Sequence, residues 1–202
     1  EPDAAKRQQK VLDLMKEVGL DIQHLQRYPH EFSGGQRQRI NVARALSLDP
    51  KIIVCDEPVS ALDVSIQAQI LNLMMDLQEQ RNLTYVFITH NLSVIKHISD
   101  EIMVMYMGCT VEKCETKELF RKPLHPYTKG LLDAIPIPSI DARKERKLIE
   151  GEVSSPVNPK PGCRFCDRCE FATEECRSIN PKLEEVEPGH YVACHHVAQT
   201  AS

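Results

Sequence analysis

Lys51-Ile52-Ile53-Val54-Cys55-Asp56-Glu57-Pro58 and Thr84-Tyr85-Val86-Phe87-Ile88-Thr89-His90 decide the fold. Each opens as a short run rich in apolar and β-branched residues, the composition of a strand buried on both faces, and each ends on side chains that carry chemistry. Between them, Ser65 to Gln80 sets Ile66, Ile70, Leu73, Met74 and Leu77 on one helical face. Strand, helix and strand in succession form a βαβ unit, which predicts a parallel sheet with a right-handed crossover. Sheets of this kind bind ligands at the C-terminal edge of their strands, so Asp56, Glu57 and His90 are expected on one rim.

Working outward, Val11, Leu14, Met15 and Val18 repeat at helical spacing from Ala4 to Val18, with Gly19 as the stop. A second helix is predicted from Ser33 through Ile40, Val42, Ala43 and Leu46 until Asp49-Pro50 ends it. Downstream, a helix follows Asn91, and Ile102–Met107 with Thr110–Cys114 read as two strands about Gly108. The α/β body is expected to finish near residue 115. Pro123 to Leu132 reads as a helical patch, Pro136 to Gly162 as a proline-rich charged linker, and a cysteine cluster follows.

The chain has 202 residues, 42% of them hydrophobic, enough for one core or one plus a small appendage. No apolar run approaches the ~20 residues that cross a bilayer. The N-terminal Glu1-Pro2-Asp3 lacks the order of a signal peptide. Any membrane link is therefore expected to run through a partner. A net charge of −4 with both signs interspersed gives no basic stripe, so nucleic-acid binding is not expected.

Four short motifs carry the chemistry. Phe32-Ser33-Gly34-Gly35-Gln36 stands before a helix, where Ser33 caps and the two glycines let backbone N–H groups approach an anion; an ordinary Ser-Gly-Gly helix start has the same look. At the end of the first strand, Asp56 suits the Mg²⁺ shell and Glu57 suits orienting or deprotonating a water, although Asp-Glu after a strand is also a common solvated turn. Ser60-Ala61-Leu62-Asp63 precedes the next helix, and Asp63 also reads as a plain cap. His90 ends the second strand, where it could reach a γ-phosphate and the attacking water.

In this order the motifs resemble those of the ABC ATPases. Phe32 to Gln36 is similar to the ABC signature, Ile52 to Glu57 to Walker B with the catalytic glutamate, Ser60 to Asp63 to the D-loop, and Thr89-His90 to the H-loop. Asn91 departs from the family's usual aspartate. Arg27 to Glu31, Ser93 to Asp100 and Pro123 to Lys129 further resemble the oligopeptide/dipeptide/nickel importer ATPases, and His97-Ile98-Ser99-Asp100 the F-type rather than the D-type subunit.

The resemblance implies an α/β fold, the C-terminal part of a P-loop NTPase (ABC) domain with a parallel-sheet core over residues 1–115. A small Cys-rich, importer-type C-terminal extension would fill residues 116–202. It also implies a head-to-tail pair with a second ABC ATPase subunit. In that pair Ser33, Gly34, Gly35 and Gln36 serve the partner's ATP, while Asp56, Glu57 and His90 serve their own. Membrane permease subunits, and indirectly an extracytoplasmic solute-binding protein, complete the expected assembly at the cytoplasmic face of the membrane. Two rivals are a nickel importer ATPase and a non-transport ABC protein with a zinc-type nucleic-acid module.

No Gly-Lys dipeptide occurs, so the Walker A loop that grips ATP is expected upstream of Glu1, and the chain alone is not expected to turn over ATP. Eight cysteines are many for this length, and Cys163, Cys166, Cys169, Cys176 and Cys194 crowd towards the end. Without a secretion signal such clustering points to metal before disulfides. Either Zn²⁺ or a [4Fe-4S] cluster takes four thiolates. The resemblance implies Cys163, Cys169, Cys176 and Cys194 as ligands, with Cys166 as an extra candidate. Cys55, Cys109 and Cys114 read as small core residues.

Overall fold

A computed structural model describes residues 3–135, 149, 151 and 157–197. The chain divides into two compact units, Glu1–His90 and Asn91–Ser202.

The first unit opens with α1 (Ala4–Glu17), capped by the Asp3 carboxylate, which accepts from the N–H of Ala5. Gly19 takes φ +70° just past the helix, and the Leu20 N–H returns to the Met15 carbonyl at 2.8 Å. That left-handed stop aims Leu20 into the core. Helix α2 (Gly34–Leu46) starts after Ser33, as the spacing predicts, and is capped at Ser47, ahead of the Asp49-Pro50 stop. Then β1 (Ile52–Asp56), α3 (Val64–Arg81) and β2 (Thr84–Ile88) form the expected unit, with β1 and β2 paired in parallel, Val54 opposite Val86 and Asp56 opposite Ile88.

Leu14, Met15, Val18, Leu20, Leu46, Leu77 and Leu83 form the buried cluster, flanked by Ile53, Leu73 and Tyr85. Arg81 joins helix and loop by donating to Glu17 Oε2 at 2.7 Å and to Asp49 Oδ1 at 3.2 Å.

The strands differ from expectation in one respect: they are not buried on both faces. Ile53 and Cys55 turn towards the core, while Ile52 and Val54 are 61% and 64% exposed, as are Val86 and Ile88 at 48% and 50%. The apolar composition suits two covered faces, but among the described residues one face is open.

In the second unit α4 (Leu92–Ile98) follows Asn91, whose side chain accepts from the N–H of Ser93 and Val94. Strands β3 (Glu101–Tyr106) and β4 (Cys109–Glu115) make an antiparallel hairpin, turned by Met107 and Gly108 at φ +46° and +77°. Two positive φ values match the right-handed twist of the flanking strands. The sheet continues through β5 (Glu184–Glu187) and β6 (His190–Val192) in the order β3-β4-β6-β5, so β4 pairs with a strand from the cysteine-rich part.

Helices α5 (Thr116–Arg121), α6 (Pro126–Asp133) and α7 (Glu174–Ser178) belong to this unit, and Leu119 of α5 and Tyr127 and Leu131 of α6 pack with the sheet's apolar core. Its core holds Ile102, Val104, Tyr106, Val111, Cys114, Leu119 and Phe165, with Cys163 and Cys169 packed against it. Most of the linker predicted from Pro136 to Gly162 lies outside the described residues. No helix among the described residues is long and apolar enough to cross a membrane.

Candidate functional site

The rim of the parallel pair is built by backbone hydrogen bonding that runs past the strand ends. The Glu57 N–H donates to the Ile88 carbonyl at 2.9 Å, which carries the ladder one residue beyond Asp56. Glu57 itself adopts φ +45°, an uncommon conformation for a side-chain-bearing residue and one that clusters at functional sites. There Glu57 Oε1 meets His90 Nδ1 at 2.8 Å, with the side chains 44% and 75% exposed. The hydrogen bond from His90 is the main cause that holds the Glu57 carboxyl below its ordinary range. An ionised Glu57 only accepts, so Nδ1 donates this hydrogen bond and Nε2 points to another partner. Asp56 is exposed beside them.

The loop after the rim is fixed from both sides. Ser60 Oγ donates to the Glu57 carbonyl at 3.1 Å, and Gln67 Nε2 donates to the carbonyls of Val59 and Leu62 at 2.9 and 3.0 Å. No spacing in the sequence marks Gln67, whose role is visible only because α3 faces this loop. Asp63 caps α3, accepting from the Ile66 N–H at 3.0 Å and from Ser65 Oγ at 2.8 Å. The backbone hydrogen bond from Ile66 lowers its carboxyl pKa.

At the start of α2, Ser33 and Gln36 cap each other: the Gln36 N–H donates to Ser33 Oγ and the Ser33 N–H to Gln36 Oε1. Ser33 is exposed. The two glycines permit a close approach of helix starts: a Cβ on Gly34 would meet Leu62 Cδ2 at 3.1 Å, and one on Gly35 would meet Ile66 Cγ2 at 2.6 Å. The glycine pair thus lies against the loop and helix that follow the acidic rim.

Cys163, Cys166, Cys169, Cys176 and Cys194 line one small cavity of about 10 Å³ with His125, His195 and His196. All are free thiols. The Cys163 N–H donates to the Cys176 carbonyl at 2.7 Å and the Cys166 N–H to the Cys163 carbonyl at 3.2 Å, which ties the loop into a knot. Burial pushes the Cys163 thiol up to about 11 and raises Cys169 and Cys194 as well. Thr173, unmarked in the sequence, bridges Cys176 Sγ and His196 Nε2 at 3.4 and 2.9 Å. Cys55 and Cys114 are buried in their strands and Cys109 is half-buried.

Residues 2–60 match the ABC transporter family and residues 111–176 the oligopeptide/dipeptide transporter C-terminal region. A dipeptide transport ATP-binding protein DppF of Haemophilus influenzae is 56% identical over 96% of this chain and 59% of its own length. A putative oligopeptide transport ATP-binding protein YkfD of Bacillus subtilis is 57% identical over 91% of this chain and 56% of its own length. The chain therefore spans somewhat under three-fifths of the length of these relatives.

Among solved structures, an ATP-binding cassette of an ABC transporter in its ADP conformation superposes with a TM-score of 0.56 at 25% identity, covering 66% of this chain and 52% of that one. A second cassette, dimeric in a post-hydrolysis state bound to ADP and Pi, gives 0.50 at 29% identity over 57% of this chain and 50% of that one. Two family models in series, relatives above half identity and cassettes of the same fold identify the chain as a partial ABC ATPase domain that belongs to the oligopeptide/dipeptide branch of the ABC transporter ATP-binding proteins.

Proposed function

We propose that this chain belongs to the ATP-hydrolysing subunit of an importer of dipeptides or oligopeptides, in which it positions the attacking water and closes a neighbour's nucleotide site. The 2.8 Å contact between Glu57 and His90 beside Asp56 carries the proposal. ATP with Mg²⁺, when bound, supplies the phosphoryl group and the divalent charge that steadies it. Asp56 serves the Mg²⁺ shell. Glu57, which accepts the His90 Nδ1–H, takes the proton of water or orients it, and an Nε2–H on the same ring would donate to the γ-phosphate.

Ser33, Gly34, Gly35 and Gln36 serve the ATP of a second, head-to-tail ABC ATPase subunit. The positive dipole end of α2, with glycines at its first two positions, suits a phosphate. Asp63 and its loop lie at the seam of that pair. Dimer formation by a related cassette supports the pairing. The names of the relatives favour peptides over nickel and over nucleic acid as the subunit's business. Attachment to the cytoplasmic face of the membrane then runs through permease subunits, with a solute-binding protein acting from the far side. The division at residues 115 and 116, ATPase portion before and importer-type extension after, belongs to the same reading.

Cys163, Cys169, Cys176 and Cys194, with Cys166 in reserve, are proposed to hold a [4Fe-4S] cluster, with zinc as the rival. Four or five reduced thiols around one cavity fit a thiolate-bound metal. Four thiolates suit either group, and a soft thiolate set accepts both. A brown anaerobic preparation with visible absorbance supports the cluster, and a colourless one containing zinc reverses the order.

The function is tested in the full-length subunit. Glu57→Gln should bind ATP like the wild type and lose roughly two or more decades of hydrolysis, the scale of a lost positioned base. Unchanged turnover would remove Glu57 from this role.

A further inference from the structure

Away from the nucleotide rim, the turn between β5 and β6 gathers a second set of ligating groups. Glu187 and His190 stand opposite each other across Pro188 and Gly189, so both side chains share one face of the hairpin. Gly189, at φ +74°, donates its N–H to Glu185 Oε1 at 2.8 Å and fixes the turn. Glu118 of α5 completes the group: one donor atom from each of Glu118, Glu187 and His190 lies within 4.8 Å of the other two.

His190 supplies a second, independent observation. It is 1% exposed, and its Nε2 lies 2.7 Å from Oε1 of Glu112, which is fully buried. The Glu112 carboxylate also accepts from the N–H groups of Leu124 and His125 at 2.7 and 3.0 Å. A carboxylate acting as acceptor throughout takes its hydrogen bond from an Nε2–H, which makes Nδ1 the nitrogen left for a further ligand. That Nδ1 is buried without a hydrogen-bond partner. An imidazole that gives one nitrogen to a carboxylate and keeps the other without a protein partner beside two further carboxylates has the arrangement of a metal-binding histidine.

We infer that Glu118, Glu187 and Nδ1 of His190 bind a divalent first-row transition ion. Bonds of ~2.0–2.2 Å to N and O set donor atoms ~3.3–3.6 Å apart in a tetrahedron, so the two partly exposed carboxylates close inward while the buried His190 stays fixed. In the free protein their charges are met by protein cations: Arg121 forks onto Glu118 at 2.9 and 2.7 Å, and Lys122 pairs with Glu187. The incoming ion displaces Lys122 and staples the β5–β6 hairpin to α5. Two carboxylates and one imidazole form a harder donor set than the cysteine cavity, so Mn²⁺ separates the two sites: carboxylates accept it, whereas thiolates prefer softer ions.

The test is a nucleotide-free titration of the purified chain with Mn²⁺ alone, read from the electron paramagnetic resonance of the free ion. The wild type should bind one Mn²⁺ at this site, and Glu118→Gln and Glu187→Gln should each weaken it roughly tenfold or more. Lys122→Met, which removes the competing cation, should bind more tightly than the wild type. Three results would overturn the site: no Mn²⁺ bound by the wild type, affinity unchanged in both glutamine variants, or weaker binding in Lys122→Met. Because Glu118 and Glu187 are partly exposed, their glutamine variants keep the fold and the comparison does not depend on altering the buried His190.

Discussion

Replacing Gly35 by alanine asks whether the glycine pair before α2 exists for packing. The added Cβ would stand 2.6 Å from Ile66 Cγ2, about 0.8 Å short of the 3.4 Å at which ordinary contact begins. Ile66 is β-branched and half-buried at the start of α3, so its χ1 has little freedom to retreat. Overpacking of this kind costs ~1–3 kcal/mol. Alanine returns ~1 kcal/mol of helix propensity, which leaves a net loss of ~1 kcal/mol and a fall of ~2–4 °C in the melting temperature of a chain this long. Urea unfolding of Gly35→Ala, Ile66→Ala and the double variant forms the cycle. The double variant should be more stable than the sum of the single changes by ~1–2 kcal/mol, because removing the Ile66 branch makes room for the new methyl. Strict additivity, or a Gly35→Ala protein more stable than the wild type, would refute the close approach of α2 and α3.

Arg81→Met should cost ~1–2 kcal/mol in the same assay, since it strands Glu17 in a half-buried position without its forked partner. Gly162→Ala should abolish metal loading of the cysteines: at φ +92° its Cβ would fall 2.5 Å from the carbonyl oxygens of Cys176 and Arg177, which no side-chain rotation relieves. Gly108→Ala, also at positive φ but with open space around it, should keep full loading, as metal-to-protein ratios will report. His90→Ala should raise the Glu57 carboxyl pKa towards its ordinary value in a carbon-13 titration, because the hydrogen bond that lowers it is gone. The sign in stability follows: a depressed carboxyl stabilises above its unfolded value of ~4.3 and loses that contribution as pH falls through the folded value, and His90→Ala should lose less over that window.

The βαβ unit was legible because Lys51 to Cys55, Ser65 to Gln80 and Thr84 to Thr89 each show one unmixed periodicity, and strand ends then placed Asp56, Glu57 and His90. Two-sided burial was not legible: Ile52, Val54, Val86 and Ile88 have core composition, yet composition records what a face suits and not what covers it. The pairing of β4 with β6 escaped notice because Glu184 to Val192 mixes acids with apolar residues, and its short strands carry too few alternations to stand out. Glu112 looked like any strand glutamate, and only the folded chain shows it fully buried beneath His190 and the turn at Leu124. The grouping of the cysteines was legible without any periodicity, and the fold brings all five to one cavity.

The most direct test of the rim as a hydrolytic centre is single-turnover ATP hydrolysis by the full-length subunit carrying Glu57→Gln, His90→Ala or both. If one carboxylate and one imidazole act as a unit, each single change should cost roughly two decades and the double change little more than either. Losses that multiply independently, or a His90→Ala enzyme as fast as the wild type, would contradict it.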